Sequence, residues 1–277
     1  MKKTLAILIT LAMVITFTFV FSAEEHTGQT DCVWGTPDID GVKEAVWDTA
    51  KKVDLKISST ENISTYGSTW TLWDGQYLYV FAEVTDPLID LDYRTVNPTY
   101  GEHEGDCVGV LVDYSYNRTA ENNYREETEA SMYAGYINVA PDNQVAYHIM
   151  MSKVDYKDKI ATVAKKTAKG YDVEIKLPLS IYKEFKAGDK IGIEYFINNA
   201  NGNAARENFV NWEAYGNNSW QWSDAMGTLT FLAAPAVAET PEEVTDNPTT
   251  SDNNIFIFAF LAVFSAFFII NKKNLIK

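Results

Sequence analysis

The chain has 277 residues, of which 38 are acidic and 23 basic, for a formal net charge of −15. So acidic a surface repels nucleic acid and anionic lipid. Two cysteines are too few for a thiolate metal site, and three histidines leave a His-based catalytic triad little to draw on.

Met1, Lys2 and Lys3 lead into an apolar run over 5–21 that closes on Ser22-Ala23 ahead of Glu24-Glu25. This order predicts a secretory signal over 1–23, cut near Ala23, with a retained membrane anchor as the alternative; both deliver the middle of the chain to the outside. No cysteine stands at the small-residue site, so lipidation is not expected.

Residues 24–235 hold enough chain for one sizeable core. Alternating apolar residues predict strands at 70–73, 77–84, 107–113, 131–139, 145–151, 160–164, 171–177, 191–198, 209–212 and 227–232. Asp74-Gly75 marks a hairpin between the first two. Short helical connectors are expected at 43–50 and 179–185. Many short strands with polar turns predict an all-β fold, an antiparallel two-sheet β-sandwich of jelly-roll-like layout. Cys32 and Cys107 both fall in strand-like segments, which leaves open a disulfide or two buried thiols.

From 236 to 254 the chain is rich in Pro, Thr and acid, which reads as a disordered stalk. The apolar run 255–270 would cover ~24 Å as a helix against a ~30 Å hydrocarbon core. Lys272, Lys273 and Lys277 would hold the last residues in the cytoplasm. Ahead of the run, within 247–252, Asn247-Pro248-Thr249-Thr250-Ser251-Asp252 resembles a sortase sorting signal, with Asn247 where Leu is usual and Ser251 where Gly is usual. That resemblance implies cleavage after Thr250 and wall attachment; a membrane segment kept over 255–277 is the alternative. Either way the expectation is an exported protein on the outer cell surface, partnered at its C-terminus by sortase or by the membrane.

Between these ends, several blocks occur in a fixed order. They are Gly35-Thr36-Pro37-Asp38-Ile39-Asp40-Gly41 with Trp47, Leu72-Trp73-Asp74 with Tyr77-Leu78-Tyr79-Val80, and Val84-Thr85-Asp86-Pro87. Gly105-Asp106 comes next, then Gly170-Tyr171 through Glu174 to Pro178, then Trp212 with Asn217-Asn218-Ser219-Trp220 and Gly227-Thr228-Leu229. In this order they resemble the family 9 carbohydrate-binding modules, DOMON-like β-sandwiches, over roughly 33–232. Asp40-Gly41, Trp47 and Asp74-Gly75 read as structural: a turn, a core plug and a hairpin.

The resemblance implies non-catalytic binding of an oligo- or polysaccharide in a slot where two aromatic rings sandwich a terminal sugar and polar side chains hold its hydroxyls. Trp220 falls on one sandwich position, and His103 on the other, where Trp is expected. Asn217 is a hydrogen-bonding candidate, and Trp222, Tyr133 and Tyr215 could complete an aromatic wall. Gly109 stands where a hydroxyl-binding glutamate is expected, and Phe196 replaces a polar residue. The resemblance also implies structural calcium, for which Asp86, Asp90 and Asp92, or Glu102, Glu104 and Asp106, offer hard oxygen ligands. No other cofactor is required.

Three rival readings remain. Glycoside hydrolysis needs a positioned carboxylate pair, which abundance alone does not supply. Haem binding, as in similar domains of extracellular dehydrogenases, would draw on His148, Met132, Met150 and Met151. A surface adhesion or scaffold module without sugar binding is the third.

Overall fold

The structure, a computed structural model, describes residues 28–60, 64–96, 101–116, 134–148, 157–202, 204–213, 219 and 223–235. The segments read as signal, stalk, sorting motif and apolar tail lie outside the described residues.

The strands are β1 (Gln29–Trp34), β2 (Val53–Leu55), β3 (Ile57–Ser58), β4 (Tyr66–Trp73), β5 (Tyr77–Thr85), β6 (Cys107–Asp113), β7 (Ala134–Val139), β8 (Val145–His148), β9 (Ala161–Lys166), β10 (Gly170–Pro178), β11 (Lys190–Asn199), β12 (Asn208–Asn211) and β13 (Gly227–Phe231). They pair in the order β8-β7-β6-β11-β13-β1-β4-β5-β10-β9, with β2 on β4, β12 on β11 and β3 on β12. The sheet is mixed, which corrects the antiparallel expectation. The cause is β1: Gln29–Cys32 runs parallel to β13, and Val33–Trp34 then runs parallel to β4. One strand thus serves both halves of the sheet, which curls until the halves face each other as in a β-sandwich.

Period-two alternation fills the space between the halves. Leu78, Val80, Ala82 and Val84 of β5 and Tyr171, Val173, Ile175 and Leu177 of β10 share one core with Val108, Val110 and Val112 of β6 and Ile193, Tyr195 and Ile197 of β11. Thr71 and Tyr195 join across it by a 2.6 Å hydroxyl pair.

The opposite face of the β4-β5-β10 half carries a second apolar cluster of Trp70, Leu72, Tyr79 and Phe81, plugged by the fully buried Trp47. The short 3-10 turn Ala45–Thr49 delivers Trp47. Buried Glu174 holds the segment down. Its carboxylate accepts the N–H groups of Asp40 (2.9 Å) and Gly41 (2.6 Å) and the Trp47 indole N–H (3.2 Å). Gly41 takes a φ of +78°, a left-handed value that suits glycine. In the hairpin, the Asp74 carboxylate accepts the N–H groups of Gln76 and Tyr77 while Gly75 turns the chain at φ +87°.

One other expectation is corrected. Residues 179–185 form a bend and a turn rather than a helix. Leu179 gives its N–H to the Gln76 carbonyl, and its side chain and that of Phe185 are drawn into the core, so the segment follows tertiary contacts instead of a helical ladder. Cys32 and Cys107 are free, buried thiols. Cys32 belongs to the main core while Cys107 receives the Asn198 amide at 3.4 Å, and burial pushes both thiol pKa values up.

Candidate functional site

Because the valines of β6 point into the core, Cys107, Gly109, Leu111 and Asp113 point to the outer face of the β7-β6-β11 half. Register sets one row across that face: Asn138 of β7, Gly109 of β6, Phe196 of β11 and Asn211 of β12. The Phe196 ring lies over Gly109, so that a Cβ at 109 would fall inside the ring's van der Waals envelope. Phe196 packs in a small apolar cluster with Leu111, Ala134 and Met226, and Tyr136 meets it edge-on at 6.1 Å and 73°. Asn138 is fully buried, and neither its amide nitrogen nor its amide oxygen has a hydrogen-bond partner.

His103 lies in the 3-10 turn Glu102–Glu104, which packs against β6, β7, β8 and β11. The turn is held from behind. Arg94, in the short helix α1 (Tyr93–Val96), bonds Glu102, donates to Asp142 at 2.5 Å and donates Nε to the Tyr93 hydroxyl at 2.9 Å, while Tyr93 bonds Glu102. The Tyr93 ring covers Gly105, where a Cβ would not fit. In front, His103 Nε2 lies 3.3 Å from the Glu104 carboxylate. Glu104 also accepts the Arg206 N–H at 3.3 Å, and Arg206 Nη1 reaches the Asn198 oxygen at 3.4 Å. Burial pulls the His103 pKa down against the opposing pull of Glu104, which keeps the ring neutral near pH 7.

His103 is therefore placed in the turn that leads into β6, beside Glu104 and Arg206. Trp220, Asn217, Trp222, Tyr133 and Tyr215 lie outside the described residues, as do Met132, Met150 and Met151. Asn138, Arg206 and Arg94 were missed by the sequence reading. Nothing in a lone Asn or Arg announces burial beside a loop that is distant in sequence.

Of the three aspartates expected as calcium ligands, Asp86 and Asp90 are buried, and Asp92 is exposed, its carbonyl accepting the Thr95 and Val96 N–H groups. The third carboxylate beside Asp86 and Asp90 is Asp106. It accepts the Ala200 N–H at 2.8 Å and the Asp90 N–H; Asp90 in turn accepts Asp92 at 2.8 Å and Ala204 at 3.1 Å. The knot thus ties the loop before β6 to the loop after β11. Burial, reinforced by Asp86 and Asp90, pushes Asp106 up to about 7. Asp86 lies buried against the Thr65 hydroxyl and Asp106, and burial pushes its pKa up. Hard oxygens left in this state suit a cation such as calcium. Among the described residues, no three His, Cys, Asp or Glu side chains converge as a metal set.

Residues 39–233 match the family described as carbohydrate family 9 binding domain-like. The chain belongs to this family. It is 30% identical over 207 residues to the exoglucanase XynX of Acetivibrio thermocellus and 29% identical over 209 residues to the endo-1,4-beta-xylanase A of Thermoanaerobacterium saccharolyticum. Each match covers 74% of this chain but only 17% and 16% of those enzymes. Among solved structures, a family 9 carbohydrate binding module from Caldicellulosiruptor kristjanssonii in complex with glucose superposes with a TM-score of 0.65 at 24% identity, over 76% of this chain and 99% of that one. A complex of a family 9 module from the same organism with cellotriose gives 0.64 at 22%, over 82% and 100%. These likenesses establish the fold; the family 9 module is a binding module rather than a catalytic one.

Proposed function

We propose that this chain binds a neutral oligo- or polysaccharide without cleaving it, on the outer sheet face beneath His103. The observation that carries the reading is the family match over 39–233, which spans the His103 turn and the Asn138-Gly109-Phe196 row together. Relatives of the same fold hold glucose and cellotriose. Trp220 and Asn217 are proposed to complete the slot opposite His103, with Trp222 and Tyr133 as further wall. Titration calorimetry of the purified protein against cello-, xylo- and manno-oligosaccharides tests this; silence across that panel and a broad glycan array would leave a surface adhesion module as the reading.

Export and surface attachment belong to the same proposal. The signal-like 1–23, the sortase-like motif 247–252 and the apolar segment 255–277 support them. Protease shaving of intact cells tests exposure, and release of the protein by a wall hydrolase separates wall attachment from a membrane anchor.

A structural calcium ion beside Asp86 and Asp106 is proposed. It would neutralise buried like charges and stiffen the loops that carry His103 and Arg206. The burial of Asp86 against Asp106, two like charges brought together away from water, supports it.

A further inference from the structure

We propose that Asn201 is a site of spontaneous deamidation, and that its conversion loosens the loop after β11 from the two buried aspartates that hold it. Asn201 is followed by Gly202, and no other asparagine of the chain precedes a glycine. The pair is exposed and forms a turn, with φ +53° at Asn201 and +82° at Gly202. Such left-handed values suit an Asn-Gly turn. The Glu207 carboxylate accepts the Asn201 Nδ2 at 2.7 Å, which holds the amide at the turn.

The chemistry needs only water. The Gly202 backbone nitrogen attacks Cγ of Asn201 and closes a five-membered succinimide. The Cγ–Nδ2 bond breaks, and Nδ2 takes the Gly202 proton and leaves as ammonia. Water then opens the ring. Cleavage between the ring nitrogen and Cγ gives aspartate, and cleavage between the ring nitrogen and the main-chain carbonyl carbon gives isoaspartate, whose chain runs on through Cβ and Cγ. Glycine favours the attack because no Cβ shields its nitrogen or restricts its backbone. Asn143 supplies an internal comparison. It too is exposed with a positive φ, +64°, but the residue after it is Gln144.

The turn lies between two anchors. On one side the Ala200 N–H donates to Asp106 at 2.8 Å, and on the other the Ala204 N–H donates to Asp90 at 3.1 Å. Isoaspartate adds one carbon to the main chain between them, so the two bonds cannot both keep their geometry. Aspartate keeps the chain length but sets a second carboxylate against Glu207 where a donor had been, and like charges at that distance repel. The same loop carries Arg206, whose N–H donates to Glu104 beside His103. Conversion therefore reaches the turn assigned to sugar binding, although the modification itself does not depend on that reading.

The test is to age the native protein at pH 8, map the digested chain by mass spectrometry and compare thermal melts of fresh and aged samples. Replacement of NH by O at Asn201 at least tenfold faster than at Asn143, with isoaspartate among the products and a lowered Tm, supports the proposal. Asn201→Gly, which can take the same turn without an amide, should keep its fresh Tm through the same ageing. Conversion at Asn201 no faster than at Asn143 overturns the site. An unchanged Tm after conversion, or an equal fall in Asn201→Gly, overturns the loosening. Should Asn201→Gly fail to fold, ion exchange separates converted from unconverted native protein by the added negative charge, and equal Tm values for the two fractions overturn the loosening.

Discussion

The Phe196 ring occupies the space that any side chain at Gly109 would need. The two positions are therefore coupled, since a large residue on β11 depends on the smallest one on β6. Gly109→Glu alone is expected to lower stability by about 1–3 kcal/mol through overpacking. Adding Phe196→Gln should recover much of that loss, so that the two changes are strongly non-additive in a denaturation cycle.

Glu174 meets three N–H donors from a segment more than a hundred residues earlier in the chain. Glu174→Ala leaves those donors buried and unmet, and should cost about 2–3 kcal/mol, read from urea midpoints. A red-shifted Trp emission, from exposure of Trp47, is expected before the global transition.

Asp172 faces Glu83 directly across β10 and β5, and burial together with that like charge pushes its pKa up to about 6. A carboxyl whose folded pKa is raised binds its proton more tightly in the folded state. This group therefore favours folding below its unfolded value and loses that advantage as pH climbs from about 4 to about 6. Asp172→Asn should flatten the stability profile over that window and raise Tm at pH 7, by thermal melts in a series of buffers.

Arg94 joins Glu102 to Asp142 behind the His103 turn. Its side chain is 23% exposed, so the network is only partly screened by solvent. Arg94→Ala should destabilise by about 1–3 kcal/mol and also weaken sugar binding. Arg94→Lys should restore the charge without the two-ended geometry, and so recover stability better than affinity.

If calcium holds the Asp86-Asp90-Asp106 knot, chelation lowers the melting temperature at pH 8 and added calcium restores it. Asp106→Asn should remove that response and leave the chain insensitive to chelator.

Much of the fold was legible because the core strands announce themselves locally. Leu78, Val80 and Ala82, like Val108, Val110 and Val112, alternate with period two, and Asp74-Gly75 marks its own hairpin. Strand β1 was not legible as a parallel strand. Its partners, β13 and β4, are set by distant pairing, and a six-residue strand carries no local sign of direction. The expected helix at 179–185 failed for a related reason: the Leu179 N–H has a partner in the hairpin loop at Gln76, which no periodicity records. Of the site, His103 was named from its position in an ordered block, and Asn217, Trp220 and Trp222, named with it, lie outside the described residues. The unmet amide of Asn138 could not be read, since burial without a partner is a property of the folded face and not of the residue.

The placement of β1 bears on how the domain carries load. Its residues Gln29 to Cys32 lie parallel to Thr228 to Phe231 of β13, so tension applied through the chain on either side pulls these strands lengthwise past each other. Their backbone hydrogen bonds must then break together in shear instead of parting one by one, as in a peeled hairpin. Load entering the domain through either of these two described strands would be met in shear at the β1-β13 junction.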